Sequence, residues 1–272
     1  MKECLYVKYG FIGLGNMTTA IIKGMCKSGD FNPTFIYGYN RTKAKTTKLT
    51  TSYGIQAASS IEDIMSNCDV IILGVKPQML PDVLPEVKKH LQDNHVIVSI
   101  AAGKNISYFQ GYLSEVTPII RVMPNINALI GASTSCFTAS EQVSDMQLQY
   151  VISLFETVGT IIEVPEHLFS IFTTIGGASP AFTYMYIDAL ARAAVREGMP
   201  KSMALDIAAN AVLGSAKMII QSQEHPWALV DQVCSPGGTT IQGVSSLQSN
   251  HFETTIHDAV AAVTNKDRSL SK

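Results

Sequence analysis

The chain has 272 residues, of which 46% are apolar and 15% charged, and its formal net charge is −2. These values are typical of a globular protein with a sizeable core, in one large domain or two modest ones. A nearly neutral chain has no general attraction for nucleic acid or an acidic membrane, so we expect small molecules and copies of the chain itself as partners.

The first predicted element is a strand that begins at Tyr9 and ends in the glycines Gly10, Gly13 and Gly15, and a helix follows to about Ser28. Glycine permits a tight turn and lets the backbone approach a ligand without a Cβ in the way. Free N–H groups at the start of a helix bind anions. The order strand, glycines, helix therefore predicts a site for a dinucleotide pyrophosphate.

This predicted glycine loop, the part of the chain that would bind the cofactor, consists of Gly13, Leu14, Gly15, Asn16 and Met17. The third position of the dinucleotide fingerprint is Thr18, where glycine or alanine is usual for close helix packing. An ordinary tight turn between a strand and a helix is the alternative interpretation.

The next part of the chain alternates strand and helix patterns. Strands are predicted over 34–39, 69–75, 95–100, 118–122, 132–138 and 160–164, and helices over 41–52, 79–91 and 144–157. Near-continuous Val, Ile and Leu runs such as 69–75 are typical of parallel strands that are buried on both faces. We therefore predict an α/β fold with a doubly wound, Rossmann-like sheet.

From Pro165 onward the pattern is helical. A long helix with a break at Gly176, Gly177 and Pro180 is predicted over 165–198, and further helices over 200–222 and 249–264. The composition changes near Val164 from Val/Ile-rich alternation to Ala-rich helix. We predict two domains, a cofactor-binding domain at 1–164 and an all-helical domain at 165–272.

Asn40, Arg41 and Thr42 stand where NAD-binding folds carry an acidic residue for the adenosine ribose. No acidic residue occurs between Phe31 and Ile61, and several basic residues do. This composition suits a 2′-phosphate and favours NADPH, with NADH possible. The nearby lysines can equally form the solvated face of a helix.

Two further groups of residues follow predicted strands at the sheet edge where doubly wound folds bind ligands. They are Val75, Lys76 and Pro77 after one strand, and Ala101 and Ala102 after the next. Small side chains there would let a nicotinamide approach. Ordinary strand-ending turns are the alternative.

The segment from Cys234 to Ile241 is rich in glycine and hydroxyl side chains and enters a helix. Consecutive backbone N–H groups at such a start can hold a carboxylate, and the hydroxyls can donate to a nearby nitrogen or oxygen. A capped helix after a Pro-Gly turn is the alternative.

Cysteine and histidine spacing predicts neither a disulfide framework nor a metal site, because the five cysteines include no Cys-x-x-Cys pair. The N-terminus lacks the pattern of a secretion signal, and no stretch approaches about 20 uninterrupted apolar residues. A cytoplasmic protein without a membrane span is expected.

Together these residues resemble the pyrroline-5-carboxylate reductase family, whose members make L-proline by NAD(P)H-dependent reduction of the cyclic imine 1-pyrroline-5-carboxylate. The resemblance extends over nearly the whole chain. It is carried by Gly13-Leu-Gly-Asn-Met17, Val75-Lys-Pro77, Arg121-Val-Met-Pro-Asn125 and Asp231-Gln-Val-Cys-Ser-Pro-Gly-Gly-Thr-Thr240.

The resemblance implies a Rossmann-like domain followed by a helical dimerisation domain, and dimers that can gather into rings. It implies that Thr240 contacts the imine nitrogen, and that the substrate carboxylate binds at Gly238, Thr239 and Thr240 with Ser235 nearby. Glu166 matches a position that lines the substrate site, and Gln232 matches a position near the cofactor.

The chain departs from the family pattern at Thr18, at Ile126-Asn127 and at Gly176-Gly-Ala-Ser-Pro180. Three other functions stay open: a β-hydroxyacid or other imine dehydrogenase on a similar plan, a cofactor-binding protein without turnover, and, with less support, a nucleic-acid-binding regulator. The first typically uses a helix lysine as acid, and none is obvious in 165–196.

Overall fold

The computed structural model describes residues 7–270. Its sheet has eight strands in the order β3-β2-β1-β4-β5-β6-β7-β8. The strands are β1 (Tyr9–Ile12), β2 (Ile36–Tyr39), β3 (Gln56–Ala57), β4 (Val70–Leu73), β5 (Val96–Ser99), β6 (Ile119–Met123), β7 (Ser133–Ala139) and β8 (Gly159–Glu163). The seven predicted strands are present, and the two-residue β3 is an additional one.

All neighbouring strands are parallel except β6 and β7, which are antiparallel. Only a short 3-10 turn, Ile126–Ile130, lies between these two strands. A parallel pair needs a crossover of a dozen or more residues, so this connection reverses the chain direction. The Rossmann-like sheet thus carries an antiparallel step near one edge.

Helices cover both faces of the sheet. They are α1 (Asn16–Ser28), α2 (Lys43–Tyr53), α3 (Ile61–Asn67), α4 (Leu80–Lys89), α5 (Ile106–Tyr112) and α6 (Asp145–Glu156). Alternate residues of β4 belong to different cores: Val70 and Ile72 to one, Ile71 and Leu73 to the other. Because successive side chains of a strand point to opposite faces, the sheet is doubly wound as predicted. The short helices α3 and α5 were not predicted.

After Glu163 the described chain contains no strand. Its helices are α7 (Phe169–Phe172), α8 (Ser179–Arg196), α9 (Lys201–Ser222), α10 (Pro226–Val233), α11 (Thr239–Ser249) and α12 (Phe252–Leu270). The break predicted within 165–198 is a π-helical turn, Thr173–Ala178. The helix predicted over 249–264 corresponds to α12 and continues to Leu270, and α10 was not predicted.

The chain forms two compact units. Residues 7–177 together with 264–270 form the first unit, and residues 178–263 form the second. The predicted boundary near Val164 lies inside the first unit, because the segment after β8 remains attached to it. Phe169, for example, is only 2% exposed.

Helix α9 is the one helix in the described part of the chain that is long and apolar enough to cross a membrane by length and composition. The sequence did not predict this feature because Lys201, Asp206 and Lys217 interrupt the apolar run. Several of its apolar side chains are exposed, among them Met203, Ile207, Leu213 and Met218. The same composition suits a helix that packs against another protein surface.

Candidate active site

The parallel strands bring the predicted cofactor residues to one edge of the sheet. Ile12 is paired with Tyr39 on β2 and with Leu73 on β4, and Leu73 is paired with Ser99 on β5. The Gly13 N–H donates to the Tyr39 carbonyl at 2.8 Å. The loops that follow β1, β2, β4 and β5 therefore lie side by side at the carboxyl edge, where such sheets bind dinucleotides.

The glycine loop combines a turn that requires glycine with open space. Gly13 has φ +94°, a region that L side chains rarely adopt, and a Cβ there would come within 2.7 Å of Val75. A Cβ on Gly15 would have 3.9 Å to its nearest neighbour. Gly15 precedes α1 and provides no side-chain cap, so the first N–H groups of α1, including those of Asn16 and Met17, face a space that a ligand can enter.

Thr18 fits at the third fingerprint position because Gly74 makes room for it. Thr18 is fully buried, and its hydroxyl donates to the Gly15 carbonyl at 3.0 Å. A Cβ on Gly74 would lie 2.1 Å from the Thr18 methyl carbon. The departure from the fingerprint is thus accommodated by a glycine on the neighbouring loop, a residue that sequence analysis did not single out.

Asn40 holds the glycine loop in place. Its Oδ1 accepts from the Leu14 N–H at 3.1 Å, and its Nδ2 donates to the Thr42 carbonyl at 3.2 Å. Arg41 and Thr42 have exposed side chains, and α2 begins directly after them with no acidic residue in its first turn. Two exposed polar side chains and a helix start are therefore available to an anion at the end of β2.

The residues predicted after β4 and β5 differ in their exposure. Val75 packs partly against the core, Lys76 is exposed, and Pro77 starts a 3-10 turn. Ala101 is buried and its N–H donates to the Ser99 hydroxyl, whereas Ala102 is exposed. These side chains leave the edge of the sheet uncrowded by bulky groups.

Glu166 forms an ion pair that sequence analysis missed. Its Oε1 accepts from the Ile106 N–H at 2.8 Å and lies 3.2 Å from the Arg121 guanidinium. Arg121 is 8% exposed and its guanidinium lies 4.2 Å from the centroid of the Phe169 ring. Arg121, Glu166 and Phe169 line a cavity of about 390 Å³. The other lining residues are Gly103, Asn105, His167, Ser170 and Arg268. Oε1 of Glu166 is therefore already engaged by two donors. The sequence signal for this ion pair was Arg121, a charged residue within the Ile/Val-rich run of β6.

The segment from Ser235 to Thr240 forms a tight turn and a helix start in the second unit. The Gly238 N–H donates to the Ser235 carbonyl at 3.0 Å, and Gly237 has φ +69°, as expected for a turn with proline before glycine. Gly238 precedes α11 and provides no side-chain cap. Thr239 and Thr240 are exposed, and their N–H groups are among those that α11 leaves unpaired.

The described chain offers few other reactive groups. Gln232 is exposed near the end of α10. Burial raises the pKa of the Cys136 thiol to about 12 and also raises that of Cys68, which makes both poor nucleophiles. Residues 7–270 contain no group of three or more His, Cys, Asp or Glu side chains that could hold a metal ion.

Two family models match different parts of the chain. The model described as "Pyrroline-5-carboxylate reductase dimerisation" matches residues 166–270. The model described as "NADP oxidoreductase coenzyme F420-dependent" matches residues 8–103. The first includes the Ser235–Thr240 turn, and the second includes the glycine loop.

Full-length relatives agree with these matches. The chain is 38% identical to the pyrroline-5-carboxylate reductase of Escherichia coli (strain K12), over 97% of this chain and 98% of the relative. A crystal structure of pyrroline carboxylate reductase from Plasmodium falciparum with NADP bound is 30% identical, with a TM-score of 0.88 and coverage of 98% and 99%. The pyrroline-5-carboxylate reductase structure from Coxiella burnetii is 29% identical with a TM-score of 0.92, and the coverage is again 98% and 99%. The chain belongs to the pyrroline-5-carboxylate reductase family.

Proposed function

We propose that this chain reduces 1-pyrroline-5-carboxylate to L-proline with NADPH as the preferred donor. The observation that carries this proposal is the uncapped start of α11 after the Ser235–Gly238 turn. It supplies N–H groups for a carboxylate next to the Thr240 hydroxyl, in a chain that also has the glycine loop of a dinucleotide site.

The residues at the carboxyl edge fit a dinucleotide. The open space at Gly15 accommodates a pyrophosphate against the first N–H groups of α1. Arg41 and Thr42, exposed before α2, bind the 2′-phosphate. Asn40 acts by ordering the loop, because both ends of its amide contact backbone atoms. NADP is bound in the Plasmodium falciparum relative.

The nicotinamide group, when bound, supplies a hydride to the imine carbon. Reduction adds the hydride to the imine carbon and a proton to the nitrogen. An imine nitrogen is basic enough to take that proton from water, so the chain needs no strong general acid and a hydroxyl that hydrogen-bonds to the nitrogen suffices. Thr240 donates from its hydroxyl to the ring nitrogen, and the N–H groups of Thr239 and Thr240 hold the carboxylate with Ser235 nearby. Gly238 contributes space and not its N–H, because that N–H donates to the Ser235 carbonyl. The main contribution of the chain is then orientation of the two reactants.

The dimerisation match indicates that the chain associates with itself. We propose a homodimer that can gather into a ring of dimers. Exposed apolar side chains on α8 and α9, such as Tyr184, Met185, Met203 and Leu213, give such an assembly a surface to bury.

A cytoplasmic location is proposed because the four described cysteines, Cys26, Cys68, Cys136 and Cys234, are free thiols.

The test is NADPH oxidation with 1-pyrroline-5-carboxylate as substrate and chemical identification of the product. We expect one L-proline per NADPH oxidised, and no oxidation without the imine. A cofactor-binding protein without turnover would bind NADPH and leave it unoxidised. A β-hydroxyacid dehydrogenase would instead reduce NADP with a hydroxyacid and would leave the imine unreduced.

Sedimentation of the same sample should give a dimer or a larger assembly, and an active monomer at micromolar concentration would contradict the proposed dimer.

A further inference from the structure

The segment between β5 and α5, residues 100–105, lies at the carboxyl edge of the sheet, and we call it the β5 loop. In the sheet, β2 and β4 flank β1 on opposite sides, and β5 follows β4. A dinucleotide with its pyrophosphate at the end of β1 and its adenosine at the end of β2 therefore has its nicotinamide half over β4 and β5. Ala101 and Ala102, which belong to the β5 loop, lie on that side.

Hydrogen bonds hold the β5 loop near both of its ends. At its start, the Ala101 N–H donates to the hydroxyl of the fully buried Ser99 at 3.2 Å. Directly after its end, the Ile106 N–H donates to Oε1 of Glu166 at 2.8 Å. Glu166 lies 60 residues further along the chain than Ile106. The end of the β5 loop therefore depends on a carboxylate that a distant segment supplies.

Arg121 fixes the position of that carboxylate. Arg121 is paired with Ser99 in the register of β6 and β5, so it lies beside the start of the β5 loop. Its Nη1 lies 3.2 Å from Oε1 of Glu166, and its guanidinium lies 4.2 Å from the centroid of the buried Phe169 ring. Because a buried charge is stable only when it is paired, the ion pair keeps both side chains in place.

We propose that Glu166 and Arg121 are positioning residues that hold the β5 loop in the conformation that receives the nicotinamide. This inference rests on the proposed function, because it takes the nicotinamide to lie against Ala101 and Ala102. In this proposal Glu166 contacts neither reactant and acts through the Ile106 N–H. A loop that is ordered before the cofactor arrives avoids the cost of ordering it on binding, and it orients the nicotinamide for hydride transfer.

The test compares NADPH with adenosine 2′,5′-bisphosphate, which has the adenosine and the 2′-phosphate of NADPH but no nicotinamide. In Glu166→Ala the Ile106 N–H loses its acceptor. We expect the Kd for NADPH to rise roughly 3- to 10-fold, because binding must then order the β5 loop. The Kd for adenosine 2′,5′-bisphosphate should stay within about twofold, because the ends of β1 and β2 are untouched. The kcat for imine reduction should fall roughly tenfold.

Three other variants separate positioning from loss of stability and from substrate binding. Glu166→Gln keeps an acceptor oxygen without the charge, so it should recover most of the lost NADPH affinity and kcat. Arg121→Met removes the support of Glu166 and should reproduce the selective loss of NADPH affinity. Val151→Ala creates a cavity in the core beneath α6, a helix that carries none of the proposed site residues. It should lower stability and leave both Kd values unchanged.

An unchanged Kd for NADPH in Glu166→Ala, or an equal rise for both ligands, would overturn the positioning role. A KM for the imine that rises as much in Glu166→Gln as in Glu166→Ala would also overturn it, because the charge of Glu166 would then act on the substrate. A wild type that binds NADPH without reducing the imine would contradict the proposed function alone. In that case the comparison of the two Kd values still decides.

Discussion

Replacing Gly15 with alanine should separate cofactor binding from protein stability. Gly15 has φ −82° and ψ −175°, a conformation that alanine adopts without strain. The nearest atom to its added Cβ is the Gly74 oxygen at 3.9 Å. The folded protein therefore has room for the methyl group, whereas a pyrophosphate at the start of α1 would collide with it.

The expected magnitudes differ for the two properties. Gly→Ala at an unstrained position stabilises by about 0.4–1 kcal/mol through the unfolded state, and alanine is a poorer N-cap than glycine by a similar amount. The free energy of unfolding should thus change by less than about 0.5 kcal/mol. Loss of one charge-assisted hydrogen bond costs about 1.5–3 kcal/mol, which corresponds to a rise in the Kd for NADPH of roughly 10- to 150-fold.

Gly74→Ala is the matched control, because its Cβ would lie 2.1 Å from the Thr18 methyl carbon and 2.7 Å from the Gly13 oxygen. Such overpacking costs about 1–3 kcal/mol, so this variant should lose thermal stability. Adding Thr18→Ser removes the first clash and should recover part of the loss. Thermal unfolding and NADPH titration measure both properties, and a Gly15→Ala variant that binds NADPH like the wild type would refute the placement of the pyrophosphate.

Three further variants test other parts of the site. Arg41→Asp should raise the KM for NADPH roughly tenfold or more and spare NADH, and an unchanged kcat/KM for NADPH would rule out the phosphate contact. Glu166→Ala should lower the free energy of unfolding by about 2 kcal/mol in denaturant titrations, because it leaves the buried Arg121 without its carboxylate; a loss confined to the KM for the imine would mean that Glu166 acts on the substrate instead. Burial lowers the pKa of His95, whose Nε2 lies 2.9 Å from the Met65 oxygen. As pH falls below about 6.5, the unfolded chain therefore takes up a proton on His95 before the folded chain does, and the free energy of unfolding declines. In denaturant titrations His95→Gln should flatten that decline. An equally steep decline in the variant would refute the role of His95.

Local patterns made most of the fold predictable from the sequence. The Val-Ile-Ile-Leu run of β4 is buried on both faces, as a run without polar alternation indicates. The two-residue β3 is too short to produce such a pattern. The direction of β7 depends on the length of its connection to β6 and not on its composition, so a hydrophobic pattern could not reveal it.

The candidate site was predictable where a motif is contiguous and not where two distant segments meet. The glycine loop and the Ser235–Thr240 turn were both recognisable from neighbouring residues. The fit of Thr18 against Gly74, and the pair of Arg121 with Glu166, join positions far apart in the chain. Such contacts follow from the register of the strands, which only the folded structure supplies.

The most direct test of the account is the rate of imine reduction by Thr240→Val. Valine keeps the shape and β-branching of threonine and removes the hydroxyl that donates to the ring nitrogen. A lost polar contact of about 1–3 kcal/mol predicts a fall in kcat of roughly 5- to 150-fold, with little change in NADPH affinity. Thr240→Ser, which keeps the hydroxyl, should retain most of the rate. Wild-type kcat and KM in Thr240→Val would contradict the account, because the turn would then serve only to start α11.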